Sequence, residues 1–173
     1  NDLYVGGIFT TAGGISAMNI ARWNGNIWSP LGAGIGGTSD QVTGIKKFGS
    51  FVYATSTAGV FRWDGNNWTQ IGALTQSLYS TISAAALDID ASGNVYVTGD
   101  FVRINGVTVN GIAKWNGSSW SALGTGIDNP GGGFGASIAV QGNNVYMGGG
   151  FSRVGGVLAT NLAIWNGSNW NRL

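Results

Sequence analysis

The sequence contains no cysteine, no histidine and no glutamate, and only two of its 173 residues are proline. Without cysteine there can be no disulfide, thiol nucleophile or thiolate metal site, although the redox compartment is left open. Without histidine, Ser-His-Asp triads and imidazole-ligated metals are excluded as well. Charge is scarce: charged residues make up 9% of the chain, and eight Lys and Arg against seven Asp leave a net +1. Such a balance offers no electrostatic footprint for nucleic acid or an anionic membrane. The one adjacent basic pair, Lys46-Lys47, reads as solvated surface. No run approaches the roughly 20 apolar residues of a membrane helix. Helical proteins build their surfaces largely from Glu, Lys and Ala, so this composition also speaks against helices.

What is present is glycine, at 32 residues, and tryptophan, at eight. All eight tryptophans fall in four copies of Trp-Asn/Asp-Gly-x-x-Trp, at Trp23–Trp28, Trp63–Trp68, Trp115–Trp120 and Trp165–Trp170; Asp64 replaces Asn in the second copy. Each motif is preceded by an apolar run around a tyrosine (Tyr4, Tyr53, Tyr96, Tyr146), and these tyrosines are 49, 43 and 50 residues apart. Tyrosine and first tryptophan are separated by 19 residues in three units and by 10 in the second, which lacks the loop carrying Phe9 and Gly13-Gly14 in the first. A deletion confined to one connection is how loops behave in repeat proteins.

A full period holds four short apolar runs: Val42 to Phe48, the run around Tyr53, a third ending at Trp63 and a fourth starting at Trp68. Four strands per repeat of roughly 40–50 residues predict an all-β fold of β-propeller blades, each a four-stranded antiparallel sheet. The array spans residues 1–173, with blades at about 1–37, 38–75, 76–128 and 129–173. One such sheet cannot bury both faces, so the blades must stack. Asn-Gly and Asp-Gly tolerate positive φ, which predicts tight primed turns joining the third and fourth runs and bringing the two tryptophans together. Alternation places Ala21 with Trp23 on one face, and Ile20 with Arg22 on the other. The strict repetition of the tryptophans favours packing, with stacking platforms for sugar rings as the functional alternative.

The Leu3-Tyr4-Val5-Gly6-Gly7 run and its equivalents, followed by Trp-x-x-Leu in three units and by Trp68-Thr69-Gln70-Ile71 in the second, resemble the kelch-type propeller repeat over nearly the whole chain. Gly93-Asn94-Val95-Tyr96-Val97-Thr98-Gly99 is similar to the blades of secreted bacterial propeller proteins. The resemblance implies a propeller that binds or scaffolds partners, and it carries over no catalytic residue. Trp23, Trp115 and Trp165 depart from it, standing where kelch repeats usually place tyrosine, as does the short second blade.

Candidates for chemistry are few. The seven aspartates (Asp2, Asp40, Asp64, Asp88, Asp90, Asp100, Asp128) are scattered, which weakens a two-carboxylate glycosidase reading. Asp88-Ile89-Asp90-Ala91-Ser92-Gly93-Asn94 resembles a calcium loop but lacks its third acidic position and distal Glu, so a turn is expected. The glycine runs Gly6-Gly7, Gly13-Gly14, Gly131-Gly132-Gly133 and Gly148-Gly149-Gly150 lack the Gly-Lys-Ser/Thr ending of a phosphate loop. Sequons at Asn67, Asn116 and Asn166 coincide with the turns. No catalytic residue, metal or cofactor is expected.

The inner run occurs three times against four of each other run, so the first blade is expected to lack its inner strand. The chain opens at Asn1 with no initiator methionine or signal peptide, as a processed or excised product would. A larger propeller, a ring completed by several chains, or copies joined edge to edge would each cover the open edges. The leading expectation is a non-enzymatic structural subunit, extracellular or at the cell surface, assembling with copies of itself or with the rest of a larger propeller. The alternative is a carbohydrate- or protein-binding module whose partners include glycans.

Overall fold

The computed structural model describes residues 2–128 and 132–173. Asn1, Gly131 of the glycine run and the expected blade boundary at 129 lie outside the described residues. The described chain is all-β, and every strand pairing is antiparallel. It divides into two compact units, Asn1–Gly72 and Ala73–Leu173.

The first unit contains β1 (Leu3–Gly6), β2 (Thr11–Ala12), β3 (Ile15–Ser16), β4 (Ile20–Trp23), β5 (Trp28–Pro30), β6 (Val42–Phe48), β7 (Phe51–Ser56), β8 (Gly59–Trp63) and β9 (Trp68–Gly72). The order β1-β4-β5 makes a three-stranded sheet and β6-β7-β8-β9 a four-stranded one. Ile20 and Leu31 from the first sheet's repeat pack with Val42 and Ala54 from the second, and Trp63 and Trp68 close over them. Each sheet thus buries a face against the other, as its apolar alternation requires.

The second unit contains β10 (Leu74–Thr75), β11 (Ser83–Ile89), β12 (Val95–Asp100), β13 (Arg103–Ile104), β14 (Val107–Thr108), β15 (Ile112–Trp115) and β16 (Trp120–Ala122). It continues with β17 (Phe134–Gln141), β18 (Asn144–Gly150), β19 (Arg153–Val154), β20 (Val157–Leu158), β21 (Leu162–Trp165) and β22 (Trp170–Arg172). Two four-stranded sheets, β11-β12-β15-β16 and β17-β18-β21-β22, enclose a core that includes Tyr96, Ile112, Leu123, Val145, Met147 and Trp170. The small strands β10, β13 and β14 form a sheet of their own.

Two expectations about turns need correction. The segment of Phe9 and Gly13-Gly14, read as a loop, is a hairpin: Ala12 pairs with Ile15 across Gly13 and Gly14, whose φ values are 55° and 85°. Asn105-Gly106 (φ 48° and 81°) and Gly155-Gly156 (φ 58° and 80°) repeat it between β13 and β14 and between β19 and β20. Positive φ at both central residues is the backbone of a primed two-residue turn, so the turn expected after the first tryptophan occurs here instead. The second repeat lacks the extra hairpin, and β7 runs directly into β8 with Ser56 paired to Gly59.

The Trp-Asn-Gly-x-x-Trp segments close by a different route. Trp23 pairs with Trp28, leaving a four-residue loop in which only Gly25, at φ 103°, is left-handed. The Asn24 side-chain oxygen accepts hydrogen bonds from the Asn26 and Ile27 N–H groups at 2.9 and 3.0 Å. Asp64, Asn116 and Asn166 make the same pair of bonds in their loops. The position therefore requires a short side chain that accepts, which Asp and Asn both supply.

Candidate functional site

The paired tryptophans lie side by side across each hairpin, with ring centroids 5.4 Å apart in three copies and 5.6 Å in the fourth. Their inclination, from 45° to 56°, is the tilted arrangement aromatic quadrupoles favour. In one pair of each unit the second tryptophan reaches back to the preceding repeat. Trp68 donates its indole N–H to the Leu31 carbonyl at 2.9 Å, and Trp170 donates to the Leu123 carbonyl at 2.7 Å.

Both leucines end a Trp-x-x-Leu-Gly segment and are 3% exposed. The following glycines have φ of 57° at Gly32 and 61° at Gly124. A Cβ on Gly32 would stand 2.9 Å from the Trp63 ring, and one on Gly124 would stand 3.2 Å from the Trp165 ring. Left-handed backbone and close approach of an indole together require glycine at this joint. Leucine carbonyl, glycine and two indoles thus form a lock between consecutive sheets inside each unit.

Beside each lock lies a groove. In the second unit it measures about 560 Å³, and its lining includes Asp90, Tyr96, Lys114, Leu123, Trp165 and Asn166. In the first unit the groove is about 190 Å³ and has Tyr4, Arg22, Leu31 and Trp63 in the corresponding places. Register explains the recurring tyrosine and cation, since Tyr4 stands opposite Arg22 and Tyr96 opposite Lys114. The Lys114 ammonium lies 5.4 Å from the Tyr96 ring centroid. Burial pushes the Tyr96 hydroxyl above its usual pKa, and Asp90 adds to the rise against the opposing pull of Lys114.

Asp88 and Ile89 end β11, and Asp90–Asn94 is the turn that leads into β12. Asp90 accepts from the N–H groups of Ser92 and Asn94, the Asn94 side chain and the Tyr96 hydroxyl. Burial raises its pKa, but these donors outweigh burial and hold it below the usual carboxylate range. Asp88 is engaged elsewhere and accepts the Val140 N–H at 2.8 Å. Among the described residues, no three His, Cys, Asp or Glu side chains cluster as metal ligands would. Of the sequon asparagines, Asn116 and Asn166 are the accepting residues of their exposed loops, and Asn67 donates its N–H to Asp64.

Asp100 carries the densest polar constellation, which its sequence context does not announce. This buried carboxylate accepts the Ser77 hydroxyl and the successive N–H groups of Leu78, Tyr79, Ser80 and Thr81, at 2.6 to 3.1 Å. Burial opposes ionisation, yet the donors hold its pKa below the usual range. Its partners lie 19 to 23 residues upstream in an otherwise strandless segment, so no local pattern could reveal them. The role is to fasten that segment to the end of β12.

Compared with known proteins, the sequence matches no family model and no curated relative.

Proposed function

We propose that this chain is a non-enzymatic structural subunit of β-propeller type, with kelch-like blades, that assembles with other chains through open sheet edges. The supporting observation is the edge of β1. In the other three Trp-hairpin sheets the tyrosine strand pairs with β6, β11 or β17, whereas β1 has no neighbour on that side among the described residues. A free strand edge presents unpaired N–H and C=O groups, and strand addition from another chain satisfies them. Four similar sheets, stacking face to face within each unit, support the blade reading. The polar, charge-poor surface, built from Asn, Ser and Thr, favours an extracellular or cell-surface location. Light scattering across a wide concentration range tests the proposal: mass should rise with concentration, and a constant monomer mass would reject assembly.

A second reading, carbohydrate binding, is favoured by the recurring groove. Trp165 offers a half-buried indole beside the hydrogen-bonding groups of Asp90, Asn166 and Ser168, the combination a sugar ring uses. A glycan array without hits would remove this reading.

A further inference from the structure

Three repeats place a cation opposite the strand tyrosine. Arg22 stands opposite Tyr4, Arg62 opposite Tyr53 and Lys114 opposite Tyr96, whereas the fourth repeat pairs Tyr146 with Ile164. In the two grooves this shared register has different electrostatic outcomes. The first unit's groove is about 190 Å³, and there the Arg22 guanidinium lies 3.8 Å from the Asp2 carboxylate. Its charge is met from within the chain. The second unit's groove, at about 560 Å³, falls inside the roughly 300–1,000 Å³ range of small-ligand sites. Lys114 is half-buried there, with its ammonium beside the Tyr96 ring, and it makes no ion pair among the described residues.

One carboxylate, Asp90, shares that groove. It accepts from the Ser92 and Asn94 N–H groups, the Asn94 amide and the Tyr96 hydroxyl, at 2.7 to 3.2 Å. Its oxygens are thereby committed to the turn. The Lys114 ammonium carries three N–H donors, of which the Tyr96 hydroxyl can accept one. The half-buried indole of Trp165 lines the same groove, together with Asn143 and Ser168.

We infer that the ligand of this groove is an acidic glycan, its sugar ring set against Trp165 and its carboxylate held by Lys114. The inference rests on the carbohydrate reading above and names the class of sugar. Aromatic contact is open to neutral and acidic rings alike, so selection falls to the cation. A charge-assisted hydrogen bond is roughly twice as strong as a neutral one, which favours a uronic acid over its uncharged counterpart.

Two measurements on the full chain test this. On a glycan array, hits should concentrate on uronic-acid glycans. Hits confined to neutral or sulfated glycans would overturn the acidic class named here and leave the carbohydrate reading standing; no hits at all would remove both. Calorimetric titration then compares trigalacturonate with its methyl ester, which keeps the rings and removes the charge. The acid should bind about tenfold more tightly, as one hydrogen bond to a charged group provides, and the advantage should shrink as salt is raised. Equal affinities would overturn the inference without recourse to any variant. Lys114→Met keeps the aliphatic stem and should bring the acid down to the affinity of the ester, while Lys114→Arg should retain the preference. Arg22→Met, at the groove whose cation is already paired, should change neither affinity. An acid preference that survives Lys114→Met would show that Lys114 does not hold the carboxylate.

Discussion

Trp170 and Leu123 lie 47 positions apart, and the indole N–H of one donates to the backbone carbonyl of the other at 2.7 Å. The bond is buried, and Trp68 with Leu31 repeats it. Within each unit the second of the two stacked sheets is therefore fastened to the first by a directional bond as well as by apolar contact. Replacing Trp170 by Phe keeps most of the packing and leaves a buried carbonyl without its donor. The expected loss is about 1–3 kcal/mol in denaturant unfolding. A change near zero would mean that the apolar contact alone holds the joint.

The glycines of the lock can be tested by a matched pair. Gly32 and Gly14 both have positive φ, at 57° and 85°, but only at Gly32 would a Cβ meet an indole. Gly14→Ala should cost about 1 kcal/mol of backbone strain. Gly32→Ala should cost measurably more, because the Trp63 ring must move as well. Equal unfolding midpoints for the two variants would remove the close-approach argument.

In the Trp-hairpin loops the acceptor oxygen is what matters. Asn116→Asp should therefore leave stability near neutral pH almost unchanged, whereas Asn116→Ala should lower it by about 0.5–2 kcal/mol, the range for a lost side-chain-to-backbone cap. At Asp64, bonds from the N–H groups of Asn67 and then Asn66 lower the pKa. The contribution of Asp64 is thus present above the unfolded-state pKa and fades as pH falls through the lower folded value. Replacing it by Asn should flatten that part of the acid titration.

Asp100 follows the same sign: its carboxylate is buried, but it accepts from five donors that hold it ionised. Its lowered pKa means that its bonds stabilise the fold above about pH 4 and are lost on further acidification. Asp100→Asn turns an amide N–H₂ toward backbone donors. It should cost about 2–4 kcal/mol and expose the segment 77–81 to hydrogen exchange. Unchanged protection there would show that the carboxylate does not hold the segment.

Much of this architecture is legible along the chain because it is periodic. The strands around Tyr4, Tyr53, Tyr96 and Tyr146, the hairpins at the tryptophans, the short second repeat and the runs from Val42, Ile82 and Ala136 all follow from apolar alternation and spacing. Turn chemistry is only half legible. Asn-Gly marks a reversal in both hairpin types, but it adopts the primed geometry at Asn105-Gly106 and a four-residue accepting loop at Asn24-Gly25. The number of residues between the paired flanking positions separates the two, and pairing is a property of the sheet.

What the sequence alone determined is the repeat: all-β strands, their order, and two aromatic rings placed across each hairpin. Tertiary structure decided what those rings do. A Trp-x-x-Leu-Gly segment gives no local sign that its carbonyl will meet an indole a whole repeat later. Asp100 likewise gives no sign that it will gather four N–H groups from about 20 residues upstream. Asn19 resembles any strand-leading asparagine until its buried side chain bonds the Ile35 and Gly37 carbonyls at 2.9 and 2.8 Å. Hydrophobic periodicity is local and can be read along the chain, whereas a buried polar group finds its partner only when packing removes water and brings distant backbone within reach.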